Sequence, residues 1–212
     1  MTGIFAVNHN NMDSIKGFFG RFFNQKNDHQ LKNDAWISTS TGRRFHIFRP
    51  TEEEIVLEEA VHALCMLCRF NGHTSEFYSV AQHSIYVSMM CSEENALCGL
   101  MHDIPEAYIG DMATPLKRQM YAYNKVESKI WDIVSTKFRL PKKMPTEIKE
   151  ADKKAFRMEW AYLMGGENIE NEKFLIPREE FNKKTPAEVK EEFTKLFYKL
   201  VERHNKMVPH TV

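Results

Sequence analysis

Apolar positions recur with helical spacing through most of the chain. Between Asp13 and Gln25, Ile15, Phe18, Phe19, Phe22 and Phe23 fall at i, i+3, i+4, i+7 and i+8, which predicts an amphipathic helix. Its polar face carries few cations, so a helix docked on its own domain or on a neighbouring subunit is expected rather than a membrane anchor. A polar linker, 27–34, follows. Trp36-Ile37 and Arg44–Phe48 flank Thr41-Gly42, the pattern of a short β-hairpin. Thr51 with Glu54 reads as a capping box, and a helix is expected from Ile55 to about Arg69, with Ala60, Leu64 and Leu67 inward. After the turn at 70–74, Ser79 caps a helix whose inward stripe is Val80, His83, Ser84, Val87, Met90 and Cys91.

Ala96, Leu100 and Asp103 stripe the next helix, which Pro105 breaks because its ring clashes with the carbonyl of Met101. Gly110-Asp111 closes this unit, and Thr114-Pro115 opens a short helix that carries Lys117. Tyr123, Val126, Ile130, Val134 and Phe138 predict a longer helix, and 140–145 is a loop. Ile148, Asp152, Ala155 and Glu159 share one face of a further helix that Gly165-Gly166 stops. Thr185-Pro186-Ala187-Glu188 starts a last helix with Val189, Phe193, Leu196, Phe197 and Leu200 inward. The expected fold is all-α, a helical bundle with a short β-hairpin near the N-terminus. Residues 1–34 form an extension and residues 35–212 a single domain.

Composition agrees with one globular domain. The 212 residues are 42% hydrophobic and 27% charged, and 29 basic residues balance 29 acidic ones. No overall basicity points to a nucleic-acid polymer, so a charged ligand would be held by a local cluster. No apolar run approaches the roughly 20 residues of a membrane span, and the first residues lack a signal peptide's apolar core. A cytoplasmic protein, or one of a host cytoplasm if phage-encoded, is expected. Cys65, Cys68, Cys91 and Cys98 lie in helical patterns and read as buried reduced thiols; Cys65-x-x-Cys68 has no second CxxC to answer it.

The unusual residues are polar ones on apolar stripes. His83, the pair His102-Asp103, and Asp152, 49 residues beyond that pair, all face inward. An ionised carboxylate in such a place needs a cation, a salt bridge or a proton. Two imidazoles and two carboxylates make a mixed ligand set for one divalent ion: Mn²⁺, Co²⁺, Fe²⁺, Zn²⁺ or Mg²⁺. Taken singly, each histidine is an ordinary core or surface residue. Together the four favour metal.

His83, His102-Asp103 and Asp152 resemble the H…HD…D signature of HD-domain phosphohydrolases, a helical family that binds a divalent metal through those four positions. RFNGHTSEFYSVAQHS and LMHDIPEAYIGDMATPLK are similar to the prophage branch related to 5′-deoxynucleotidases and to phage dATP triphosphohydrolases. The likeness runs from about Trp36 to Met164. It implies hydrolysis of the 5′ phosphate ester of a deoxynucleotide, as a 5′-nucleotidase of monophosphates or a triphosphohydrolase. It further implies Glu106 as the catalytic acid–base group and Arg69, Lys117 and Lys149 as cations for the phosphates. Asp111 either accepts a hydrogen bond from the sugar or a water, or caps the next helix. His73 is either an outer neighbour of the metal or part of its turn. Ala107 stands where guanosine tetraphosphate hydrolases of this fold carry a second acid. His46, His62, His204 and His210 match no second-metal spacing. Relatives of this fold are often oligomeric, so a homo-oligomer is expected. The competing reading is an HD-fold module that senses a nucleotide or binds a partner without turnover.

Overall fold

The computed structural model describes residues 35–165, 174–178, 181 and 183–207. The amphipathic helix expected at 13–25 lies outside them. The described part begins with an antiparallel hairpin, β1 (Trp36–Ser38) and β2 (Arg44–His46), in register Trp36 to His46, Ile37 to Phe45 and Ser38 to Arg44. Gly42 turns it with φ +80°, a left-handed value that costs glycine nothing. Helices follow: α1 (Leu57–Met66), α2 (Val80–Met89), α3 (Ala96–Met101), α4 (Glu106–Ile109), α5 (Thr114–Lys117), α6 (Tyr121–Lys137), α7 (Thr146–Leu163) and α8 (Pro186–Met207). The fold is mostly helical with one hairpin near the start, and none of its described helices is long and apolar enough to cross a membrane.

α2 is the centre. Every residue from Val80 to Ser88 is buried, because α1, α3, α7 and α8 pack around it. The expected stripe is therefore an entirely enclosed helix. Ser79 caps it by accepting from Gln82 N–H at 3.1 Å. Val80, Ile85 and Val87 join Leu64, Leu100, Ile104, Ile130, Ile148 and Phe193 in the main core, each such side chain stabilising by roughly 1.5–3 kcal/mol. A smaller core of Tyr78, Tyr86, Met158, Leu163, Ile176 and Phe181 lies beside it.

Several ends differ from expectation. Thr51 and Glu54 do form a box, with Thr51 N–H donating to Glu54 Oε2 at 3.3 Å, but it opens a single tight turn (Glu52–Glu54) and not α1. α1 stops at Met66 rather than near Arg69. There the chain extends, and Cys68 pairs with Ser79 as an isolated bridge, with Arg69 N–H donating to the Tyr78 carbonyl at 2.9 Å. That pairing satisfies backbone groups that a longer helix would otherwise bond, and it places Arg69 beside Tyr78. Phe70 and Asn71 then turn the chain in the left-handed region, φ +53° and +52°. Cys68 and Cys91 accordingly lie just outside α1 and α2, while Cys65 and Cys98 are buried within α1 and α3; all four are free thiols.

α2 and α3 approach closely at Gly99, where a Cβ would stand 2.9 Å from Cys91 Sγ and 3.3 Å from Ser88 Cα. This contact brings His83 on α2 towards His102, the residue that ends α3. α3 stops before Pro105 as its ring requires.

Candidate metal centre

Four nominated residues converge. His83 comes from the middle of α2, His102 and Asp103 from the end of α3, and Asp152 from the second turn of α7. His83 Nε2 lies 3.2 Å from Asp152 Oδ1 and 3.6 Å from Asp103 Oδ2, and His102 Nε2 lies 3.1 Å from Asp103 Oδ2. One ligand atom each from His83, His102 and Asp152 lie within 4.8 Å of one another, so this group could hold a metal ion. Asp103 flanks the group on its histidine side.

The other ring nitrogens show which way the lone pairs point. His83 Nδ1 is 2.6 Å from Glu159 Oε1, and His102 Nδ1 is 2.8 Å from the Gly99 carbonyl. A carbonyl only accepts. Glu159 likewise only accepts when ionised: burial pushes its carboxyl up, but Arg69 and His83 outweigh that and hold it below the usual range. Both Nδ1 atoms therefore donate, which leaves each Nε2 as the ring nitrogen turned onto the carboxylates. Lone pairs facing carboxylates repel unless a positive charge lies between them. His83 Nε2 is buried and makes no hydrogen bond, although Asp152 is 3.2 Å away. Burial and Arg69 oppose a proton there, yet Glu159 and Asp152 raise the His83 pKa to about 10. A proton or a divalent cation answers the same need, and two imidazole nitrogens with carboxylate oxygens suit Mn²⁺, Fe²⁺, Co²⁺ or Zn²⁺. The residues fit a metal.

Asp103 is half-buried, and His102, His83 and Arg69 more than offset its desolvation to hold its carboxyl well below the usual range. Glu106 shows the opposite balance. Burial, then Asp103 and Asp111, push it well above the carboxylate range against the pull of Lys117. Its Oε2 is buried with no hydrogen-bond partner, and its Oε1 lies 3.5 Å from Lys117 Nζ. Lys117 also pairs closely with Glu127 on α6, so it is engaged by two carboxylates. Burial likewise raises Asp111. α5 has no side-chain cap, which removes the capping alternative for Asp111. His73 belongs to its turn, its N–H donating to the Phe70 carbonyl.

Arg69 is half-buried, and both its Nε and Nη2 lie 3.1 Å from Glu159 Oε2. Lys149 is exposed at the rim of a cleft of about 480 Å³. His102, Asp103 and Asp152 open into this cleft, Trp131, Met144 and Ile148 supply apolar walls, and Lys117, Lys142 and Lys149 supply cations. Trp131 Nε1 donates to the Lys142 carbonyl at 2.9 Å, which fixes the loop between α6 and α7 against the cleft.

Sequence reasoning passed over Glu127 and Lys142, and read Glu159 only as part of a helix face. For Glu159 a signal existed, since it is a carboxylate two turns beyond Asp152 on the same apolar stripe and so required a buried partner.

No family model matches the chain. Two curated bacterial proteins are similar to it. The uncharacterized protein YfdR of Escherichia coli is 40% identical over 118 residues, 56% of this chain and 66% of that protein. The uncharacterized protein RCAP_rcc00048 of Rhodobacter capsulatus is 35% identical over 131 residues, 57% of this chain and 67% of that protein. The matched stretch thus spans about two thirds of each relative's length. The chain belongs to the same protein family as RCAP_rcc00048.

Proposed function

We propose that the protein is a metal-dependent phosphohydrolase of the HD-domain kind, acting on the 5′ phosphate ester of a deoxynucleotide. The observation that carries this reading is the pair of Nε2 atoms turned onto carboxylates, with both Nδ1 atoms engaged elsewhere. His83, His102, Asp103 and Asp152 hold the ion. When bound, it supplies Lewis acidity to a phosphoryl oxygen and acidifies a water.

The remaining steps belong to the chain's own groups. Glu106, buried three residues past Asp103, takes or returns a proton at its unpartnered Oε2, orienting the attacking water or protonating the leaving 5′ oxygen. Lys117 steadies Glu106 through Oε1, and its second carboxylate, Glu127, restrains it in turn. Lys142 and Lys149 at the cleft rim offer charge to phosphates, and Trp131, Met144 and Ile148 offer an apolar wall to a nucleoside. A cleft of about 480 Å³ accommodates a nucleotide-sized ligand. The sequence likeness to deoxynucleotide phosphohydrolases supplies the substrate class.

A panel of deoxynucleoside mono- and triphosphates with Mn²⁺ or Co²⁺, read by product, tests the reading. Release of orthophosphate identifies a 5′-nucleotidase, and release of triphosphate a triphosphohydrolase. Saturable nucleotide binding with no product from any member would instead establish a sensing module and overturn the enzymatic reading.

A further inference from the structure

We propose that Glu159 is a positioning residue of the metal centre: it holds the proton on His83 Nδ1 and fixes the ring direction, so that Nε2 is the nitrogen turned towards Asp103 and Asp152. The inference rests on the proposed metal reading and goes beyond it, by assigning a role to a residue outside the ligand set.

The geometry points to Glu159 in three ways. Its carboxylate has no exposure, and each oxygen has its own partners. Oε1 accepts from His83 Nδ1 at 2.6 Å and from Tyr78 Oη at 2.8 Å, while Oε2 accepts from Arg69 Nε and lies 3.1 Å from Nη2. A carboxylate so engaged cannot rotate without breaking a buried bond. Its grip on Nδ1 fixes the imidazole about its own axis.

Placement on the helix adds a second argument. Asp152 and Glu159 lie two turns apart on one face of α7, so a single rigid element carries both a ligand and the group that orients another ligand. α2 packs directly on α7, and the His83 ring fills the space between them with no exposed surface. The distance from Asp152 to His83 Nε2 is thereby set by one helix–helix contact.

The two oxygens of Glu159 also divide their partners. A buried Arg69–Glu159 pair serving only to join the 68–78 segment to α7 would need Oε2 alone. Here Oε1 is turned the other way, onto the ring nitrogen opposite the candidate ligand atom. Arg69 on this account anchors Glu159, which explains why a cation expected to meet phosphate is paired with a carboxylate instead. Outer partners of this kind alter metal affinity by about 10–100-fold when removed.

Two measurements test this on the full chain. Calorimetric titration with Mn²⁺ should show wild type binding one ion and Glu159→Gln binding about 10–100-fold more weakly. Equal affinity in a folded Glu159→Gln protein would overturn the role. Because that substitution leaves Arg69 beside a neutral amide and could fail to fold, the second measurement uses wild type alone. Nitrogen-15 imidazole spectra of the Zn²⁺-loaded protein should show His83 protonated at Nδ1, with a slowly exchanging downfield proton. A His83 ring protonated at Nε2 would overturn the proposal while leaving metal binding intact. Absence of any saturable binding of Mn²⁺ or Zn²⁺ by wild type would overturn both this proposal and the metal reading beneath it.

Discussion

At the residue scale, function depends on which polar groups are left with something to do. Glu106 is buried, with one oxygen near Lys117 and one with no hydrogen-bond partner. Glu106→Gln preserves shape and removes the exchangeable carboxyl. The expected outcome is a fall in turnover of about 10²–10⁴-fold, with circular dichroism and Mn²⁺ affinity little changed. Turnover within threefold of wild type would remove Glu106 from the reaction. Asp152 behaves differently. Its side chain is 46% exposed to the cleft, so Asp152→Ala should leave the metal-free melting temperature close to wild type while abolishing the rise that metal produces. Calorimetry with and without Mn²⁺ checks this. Loss of the metal-free fold would show that Asp152 has a structural role of its own.

The convergence of His83, His102, Asp103 and Asp152 was legible because His83, Asp103 and Asp152 sit on stripes whose period identifies an inward face, with His102 beside Asp103 in the resembled H…HD…D pattern. What periodicity cannot show is pairing across the fold. Arg69 and Glu159 are 90 positions apart, and Lys117 meets Glu127 from a different helix. Both cations therefore read as free for phosphate in the sequence, whereas both have carboxylate partners in the fold. Ion pairs of this kind depend on how helices pack, which a one-dimensional pattern does not encode.

At the scale of elements, the centre depends on α2, α3 and α7 holding their spacing. Gly99 permits the α2–α3 approach, and a larger side chain there meets Cys91 Sγ and the Ser88 backbone. Gly99→Val should destabilise by about 1–3 kcal/mol in urea denaturation and weaken metal binding by separating His83 from His102. Unchanged stability and affinity would show that the two helices separate at no cost. The start of α7 is tied to the turn after α2 by Glu147, which accepts from Ser92 N–H at 2.7 Å and Ser92 Oγ at 2.8 Å, and from Asn95 Nδ2. The Ser92 backbone bond, then the Asn95 and Ser92 side chains, hold its carboxyl below the ordinary 4.5. A lowered folded-state pKa contributes stability that is present above 4.5 and lost as pH falls through the lower value. Glu147→Gln should accordingly flatten the acid side of the stability–pH curve below about pH 4.5, measured by thermal melts across that range. An unaltered acid limb would show that the tie contributes nothing.

Helix existence and order were legible for nearly every element, because caps such as Ser79 and breakers such as Pro105 act locally. The end of α1 was not. Its last expected turn was taken by the bridge between Cys68 and Ser79, a contact made only once α2 is in place. The full enclosure of α2 was equally hidden, since Gln82 and Ser88 are polar letters that become buried through hydrogen bonds to neighbours.

Across the whole molecule, one enclosed helix and two flanking ones aim a small set of nitrogens and oxygens into a cleft. Metal should then stabilise the native state, since the unfolded chain cannot assemble that set. At a metal concentration 100 times Kd the gain is about 2.7 kcal/mol, a rise in melting temperature of about 5–10 °C for a domain of this size. The most direct test is a calorimetric titration of wild type and His102→Ala with Mn²⁺ or Co²⁺. The predicted result is one equivalent bound per wild-type chain and no saturable binding by His102→Ala. Indistinguishable isotherms for the two proteins, or no binding by wild type, would contradict it.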